Sequence, residues 1–126
     1  MTASAPPYDG RHLLADLHGC RAPLDNIGLV ERALRDAARI AGATVLDLRL
    51  HHFGEGEGVT GIALLAESHI SIHTWPEHGY AALDFFLCGR RHDIEGALAE
   101  VEDALKPADV QTRAIARGYG VTELVG

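Results

Sequence analysis

The 126-residue sequence has a single lysine, Lys106, and no cluster of lysine or arginine anywhere. Eighteen acidic residues against eleven basic ones leave a formal net charge of −7. That balance repels a phosphate backbone, so nucleic acid is not an expected partner. The arginines form no run and no repeated spacing, and the shortage of lysine carries no functional information. No apolar run approaches the roughly 20 residues that a membrane span needs. The opening MTASAPPYDG lacks a basic stretch followed by an apolar core. A cytoplasmic protein without a membrane partner is the expectation. Cysteine is scarce as well: Cys20 and Cys88 could form one bridge at most, which is no disulfide framework, and both are expected to be reduced thiols. There is no internal repeat and no low-complexity tract.

With 47% hydrophobic residues and a mean hydropathy near zero, the chain reads as one compact domain over residues 1–126. A domain this small buries proportionally little of its surface. A substrate cleft shared between subunits, and hence an oligomer, is compatible with its size.

Residues 1–9 carry two prolines and no periodicity and read as a flexible tail. A strand is predicted over 11–18, broken by Gly19 to Pro23, with Asp25 or Asn26 available to cap a helix. From Asn26 to Ala41 apolar residues recur every three or four positions, and Gly42 follows where a left-handed cap belongs. TVLDLRLHHF, residues 44–53, alternates Val45, Asp47, Arg49 and His51 against Leu46, Leu48, Leu50 and His52. GEGEG at 54–58 is an acidic loop, and strands follow at 59–66, 69–75 and 80–88, the last two joined by a turn at Pro76 to Gly79. A second amphipathic helix covers 93–106 before Pro107, and a last strand covers 109–117. Hairpin-linked strands and two amphipathic helices predict a two-layer α/β sandwich: a mainly antiparallel sheet with both helices on one face. The units at the two ends, each a strand, a helix and a strand, echo each other loosely.

Reactive side chains concentrate in Glu67-Ser68-His69-Ile70-Ser71-Ile72-His73-Thr74-Trp75-Pro76-Glu77-His78, with Cys88 ten residues further on. A hydroxyl beside the carbonyl that precedes it permits an intramolecular N-to-O shift, and nearby imidazole permits proton transfer. Strict alternation would set Ser68 and His73 on opposite faces, so Ser68 is expected in a turn or bulge rather than within a strand. His51, His52, His69 and His78 form no closed set at a recognisable ligand spacing, and no metal is expected.

The stretch AESHISIHTWPEHGYAALDFFLCG, residues 66–89, resembles the bacterial and archaeal S-adenosylmethionine decarboxylases, which depend on a pyruvoyl group. GRHLLADLHGC at 10–20, LDNIGLVE at 24–31, GAT at 42–44, HHF at 51–53 and GVTG at 58–61 extend the likeness over nearly the whole domain. The resemblance implies autocatalytic cleavage between Glu67 and Ser68, giving a β chain of residues 1–67 and an α chain of 68–126. Ser68 would become a covalent pyruvoyl cofactor that binds the substrate amine as a Schiff base. It further implies that His73 assists processing, that Thr60 supplies a hydroxyl where the family commonly has serine, and that Cys88 protonates the decarboxylated carbon. Phe53 and Trp75 are candidates for packing on the adenine or near the sulfonium, and Glu77 for bonding a ribose hydroxyl. Ser68 is then expected at a strained junction on which His73, Thr60 and Cys88 converge. The implied product is S-adenosylmethioninamine, for spermidine biosynthesis, and the implied assembly is an (αβ)2 dimer with sites near the subunit interface.

Two rivals stay open. Some members of the lineage act on L-arginine or L-ornithine, and the loop after Phe53 departs from the family by lacking its usual proline and gaining Glu55 and Glu57. An unprocessed, non-catalytic regulatory paralogue would keep its full length.

Overall fold

The computed structural model describes residues 9–118 and 124–125. Of the expected flexible tail, residues 1–8 lie outside the described residues. The elements in order are β1 Gly10–His18, α1 Ile27–Ala41, β2 Val45–His52, β3 Val59–Leu65, β4 His69–Trp75, β5 Tyr80–Cys88, α2 Ile94–Leu105, β6 Asp109–Arg117 and β7 Leu124–Val125. One sheet contains all the strands in the order β2-β3-β4-β5-β1-β6-β7, each neighbour antiparallel. The two-layer sandwich is as expected.

The helices start and stop where local chemistry directs. The Asn26 side chain accepts the Leu29 N–H at 3.1 Å, satisfying a donor that the first turn leaves open. Gly42, at φ 79°, ends α1 in the left-handed region and donates to the Ala38 and Arg39 carbonyls. Asp93 caps α2 by accepting the Gly96 N–H, and Lys106 ends it at φ 55° ahead of Pro107. α1 turns Val30, Ala33, Leu34, Ala37, Ala38 and Ala41 inward, and α2 turns in Ile94, Ala97, Leu98, Val101 and Leu105.

These stripes meet one face of the sheet, through Leu13, Leu17, Ala63, Ile70, Ile72, Leu83, Phe85 and Leu87. Gly61 lets α1 sit close to β3: a Cβ there would lie 3.1 Å from the Leu34 side chain and 3.3 Å from those of Ile72 and Leu50. Among the described residues no helix covers the other face. Along each strand that face receives every second residue: His12, Leu14 and Asp16 on β1, His69, Ser71, His73 and Trp75 on β4, and Tyr80, Ala82, Asp84 and Phe86 on β5.

Two readings of the pattern change. A bulge between Val45 and Asp47 interrupts the β2–β3 register, so Val45 packs against the core and Leu46 is 62% exposed, the reverse of the simple alternation. Beyond that bulge the predicted faces hold. β7, paired with Ala114 and Ile115, was not anticipated from the sequence.

Candidate active site

Ser68 lies in the turn that closes the β3–β4 hairpin, outside both strands, as its position relative to His73 required. The turn is tied on both sides. Leu65 N–H donates to the Ser68 carbonyl at 2.9 Å, and Ala66 N–H donates to the Thr44 carbonyl at 2.9 Å. Thr44 N–H in turn donates to Glu67 Oε1 at 3.2 Å. Neither the hydroxyl nor the N–H of Ser68 has a hydrogen-bond partner among the described residues. No residue of the junction has a positive φ: Lys106 is the one non-glycine residue with positive φ among the described residues.

Cys88 reaches the same end of the sheet. The β4–β5 ladder ends at His69 opposite Phe86, and continuing its register two residues would set Glu67 opposite Cys88. The Cys88 thiol is a free cysteine and buried.

Thr60 and His73 meet at the other end of the hairpin, where they are register partners and Thr60 Oγ1 lies 3.1 Å from His73 Nδ1. They line a cavity of about 390 Å³ with Phe53, Glu57, Trp75 and Glu77. Three predicted substrate contacts and two predicted processing residues therefore share one site. The expected convergence of His73 and Thr60 on Ser68 does not occur within a chain. His69 and His73 are four strand residues, about 13 Å, apart, and Ser68 lies beyond His69. A hairpin's turn and its open end cannot approach each other while the ladder is intact.

The walls of this cavity are fixed by the loop and by aromatic stacking. Gly58 approaches β4 so closely that a Cβ would fall 2.1 Å from the Thr74 carbonyl oxygen. Gly56 N–H donates to Asp25 Oδ2 at 2.9 Å, which fastens the loop to the segment before α1. Glu57 thus faces the cavity, while Glu55 does not line it. Trp75 stacks on Tyr80 at 5.0 Å, and Tyr80 stacks on His18 at 5.0 Å. The Tyr80 hydroxyl donates to Asp16, and chiefly because of that bond its pKa is pushed up to about 12.

The sequence reading missed a polar network on the uncovered sheet face. His12 Nδ1 lies 2.9 Å from Asp84 Oδ1, and His69 Nε2 lies 3.6 Å from Asp84 Oδ2. Arg117 approaches His12 Nε2 at 3.1 Å, and Phe86 stacks on the His12 ring at 4.0 Å. Guanidinium only donates, so His12 Nε2 accepts from Arg117 and Nδ1–H donates to Asp84. Beside the network a cavity of about 340 Å³ is lined by Leu14, Asp16, Ser71, His73, Asp84 and Arg113 among others. The signal was present in the period of two, which puts His12, Asp84 and His69 on one face once β1, β5 and β4 are known to be neighbours. No group of three or more His, Cys, Asp or Glu side chains able to hold a metal occurs among the described residues.

The profile of S-adenosylmethionine decarboxylase matches residues 11–118. The chain belongs to the S-adenosylmethionine decarboxylase family. It is 50% identical over 110 residues to the S-adenosylmethionine decarboxylase proenzyme of Methanococcus aeolicus, covering 86% of this chain and 93% of that protein. The proenzyme of Thermomicrobium roseum is 42% identical over 109 residues, with coverage of 86% and 93%. Among solved structures, the adenosylmethionine decarboxylase of Aquifex aeolicus superposes with a TM-score of 0.80 at 36% identity, covering 94% of this chain and 96% of that one. The S-adenosylmethionine decarboxylase family match spans β1 to β6, and so includes both ends of the β3–β4 hairpin.

Proposed function

We propose that this chain is a self-processing proenzyme that decarboxylates S-adenosylmethionine to S-adenosylmethioninamine for spermidine biosynthesis, in the cytoplasm. Cleavage between Glu67 and Ser68 yields a β chain of residues 1–67 and an α chain of 68–126 that begins with a pyruvoyl group. The observation that carries the reading is the state of Ser68: among the described residues its hydroxyl and N–H have no hydrogen-bond partner, while its carbonyl accepts from Leu65 N–H and the preceding Ala66 and Glu67 are tied to Thr44. Ser68 Oγ is held next to the Glu67 carbonyl carbon by the chain itself, so no encounter is needed for attack. The new C–O bond forms as the C–N bond breaks, and the Ser68 nitrogen takes a proton. Loss of the Ser68 α-proton expels the Glu67 carboxylate, and hydrolysis then releases ammonia and leaves the ketone. Thr60 and His73 form a hydroxyl–imidazole pair suited to moving those protons.

The residues around Ser68 fit a pyruvoyl group, since the turn leaves the serine unencumbered and Cys88 reaches the same end of the sheet. Such a group supplies an electron sink for the pair released with CO2. Cys88 is the proton donor for the carbon left behind. Phe53, 59% exposed, and Trp75, 38% exposed, offer ring faces to the adenine and the sulfonium, and Glu77 offers a carboxylate to the ribose.

The half-sites lie apart within a chain, so each complete site joins Ser68 and Cys88 of one chain to Thr60, His73, Phe53, Trp75 and Glu77 of a second. An (αβ)2 dimer packed through the uncovered sheet faces accounts for this, with two sheets stacked about 10 Å apart. Ile62 at 40% and Leu64 at 49% exposure, on the uncovered face of β3, suit such burial.

Glu57 favours testing a second substrate class, because a second carboxylate beside Glu77 suits a guanidinium or ammonium as well as a sulfonium. Release of CO2 from S-adenosylmethionine, L-arginine and L-ornithine by the purified protein decides. Release from S-adenosylmethionine is expected. Release only from arginine or ornithine would replace the substrate, and no release at all would favour the non-catalytic paralogue.

A further inference from the structure

The hairpin turn at the scissile bond is only half closed. Resting on the pyruvoyl reading above, we infer that the main-chain N–H of Leu65 is a catalytic hydrogen-bond donor to the carbonyl of residue 68. It holds that carbonyl before and after cleavage and stabilises the charge that decarboxylation places on its oxygen.

In a tight antiparallel hairpin, the two residues flanking a two-residue loop exchange both backbone hydrogen bonds. Leu65 and Ser68 occupy those positions, and only one bond is made, from Leu65 N–H to the Ser68 carbonyl at 2.9 Å. The reciprocal bond, from Ser68 N–H to the Leu65 carbonyl, is absent. The missing bond belongs to the nitrogen that must leave the Glu67 carbonyl. The retained one belongs to a carbonyl that cleavage does not touch.

That retained bond crosses the cut. Leu65 stays on the β chain and residue 68 becomes the first residue of the α chain. Independent contacts hold each partner: Ala66 and Glu67 are fixed to Thr44, at 2.9 Å and 3.2 Å, and His69 begins the β4 ladder opposite Leu64 and Phe86. Breaking the Glu67–Ser68 bond therefore leaves donor and acceptor in place.

The carbonyl of residue 68 is conjugated with the adjoining ketone carbon. As CO2 leaves, the electron pair of the broken C–C bond spreads towards this carbonyl oxygen, and it returns to carbon when that carbon is protonated. Its negative charge is greatest between those two events. A donor already aligned at 2.9 Å acts then without reorganisation, which is how a backbone N–H in an oxyanion hole lowers a barrier. A main-chain donor leaves no trace in side-chain identity, so no motif reveals it.

An ester in place of the Leu64–Leu65 amide, introduced as the α-hydroxy acid analogue of leucine, deletes this N–H and keeps every side chain. The matched control is an ester at Ala63, which occupies the equivalent hydrogen-bonded position of the same ladder, opposite Ile70. In the cleaved enzyme the Leu65 ester is expected to lower kcat by about 100-fold with KM unchanged, and the Ala63 ester to leave kcat near wild type. Hydrogen exchange gives a second readout that needs no variant at Leu65: its amide should be as protected in the cleaved wild type as in an uncleaved Ser68→Ala chain. Equal kcat for the two esters, or free exchange of the Leu65 amide after cleavage, overturns the inference while the pyruvoyl reading stands. A wild-type chain that stays whole, or that cleaves and releases no CO2, removes that reading and the inference with it.

Discussion

The Tyr80 ring lies between those of His18 and Trp75, and its hydroxyl is spent on Asp16. The acceptor carboxylate, with partial burial, pushes the phenol from its ordinary value of 10.0 up to about 12. The folded chain therefore holds the phenolic proton more tightly than the unfolded chain. This contribution to stability is complete below about pH 10 and is lost as the pH rises towards 12. Thermal melts across that window should show wild type losing stability more steeply than Tyr80→Phe; parallel slopes would mean that the bond contributes nothing. Candidate residues were legible in the sequence to different degrees. Ser68, His73 and Cys88 were marked by motif. His12 and Asp84 were not, because their meeting depends on β1 lying beside β5, and strand order is not written in either segment.

α1 carries the loop anchor at its start: Asp25 holds Gly56, and Asn26 caps the first turn. Asn26→Ala is expected to cost about 1 kcal/mol of stability, read as a lower urea midpoint with an unchanged slope. A variant as stable as wild type would show that the cap is dispensable. The helices and most strand limits could be read from periodicity and punctuation, since capping residues and glycines act locally. The β2 bulge could not, because an extra residue in a ladder is defined by the partner strand, here Leu64 and Leu65 of β3. The separation of Ser68 from His73 was implicit in five residues of sequence. It became decisive only when β3 and β4 proved to be a hairpin closed at Ser68.

At the scale of the molecule, a sheet face that no described helix covers and two groups of candidate residues at opposite ends of one hairpin both suit the proposed dimer. Co-expression of Cys88→Ala with His73→Ala separates a shared site from one built within a chain. If sites are shared, each mixed dimer keeps one site with both residues intact, and roughly a quarter of wild-type sites return. Sites built within one chain would give no recovery.

The most direct measurement is the intact mass of the purified wild-type and Ser68→Ala chains. The account predicts that wild type resolves into residues 1–67 and 68–126, the latter without a free amino terminus, and that the variant stays whole. A wild-type chain found only at full length, or a Ser68→Ala chain cut at the same bond, would contradict it.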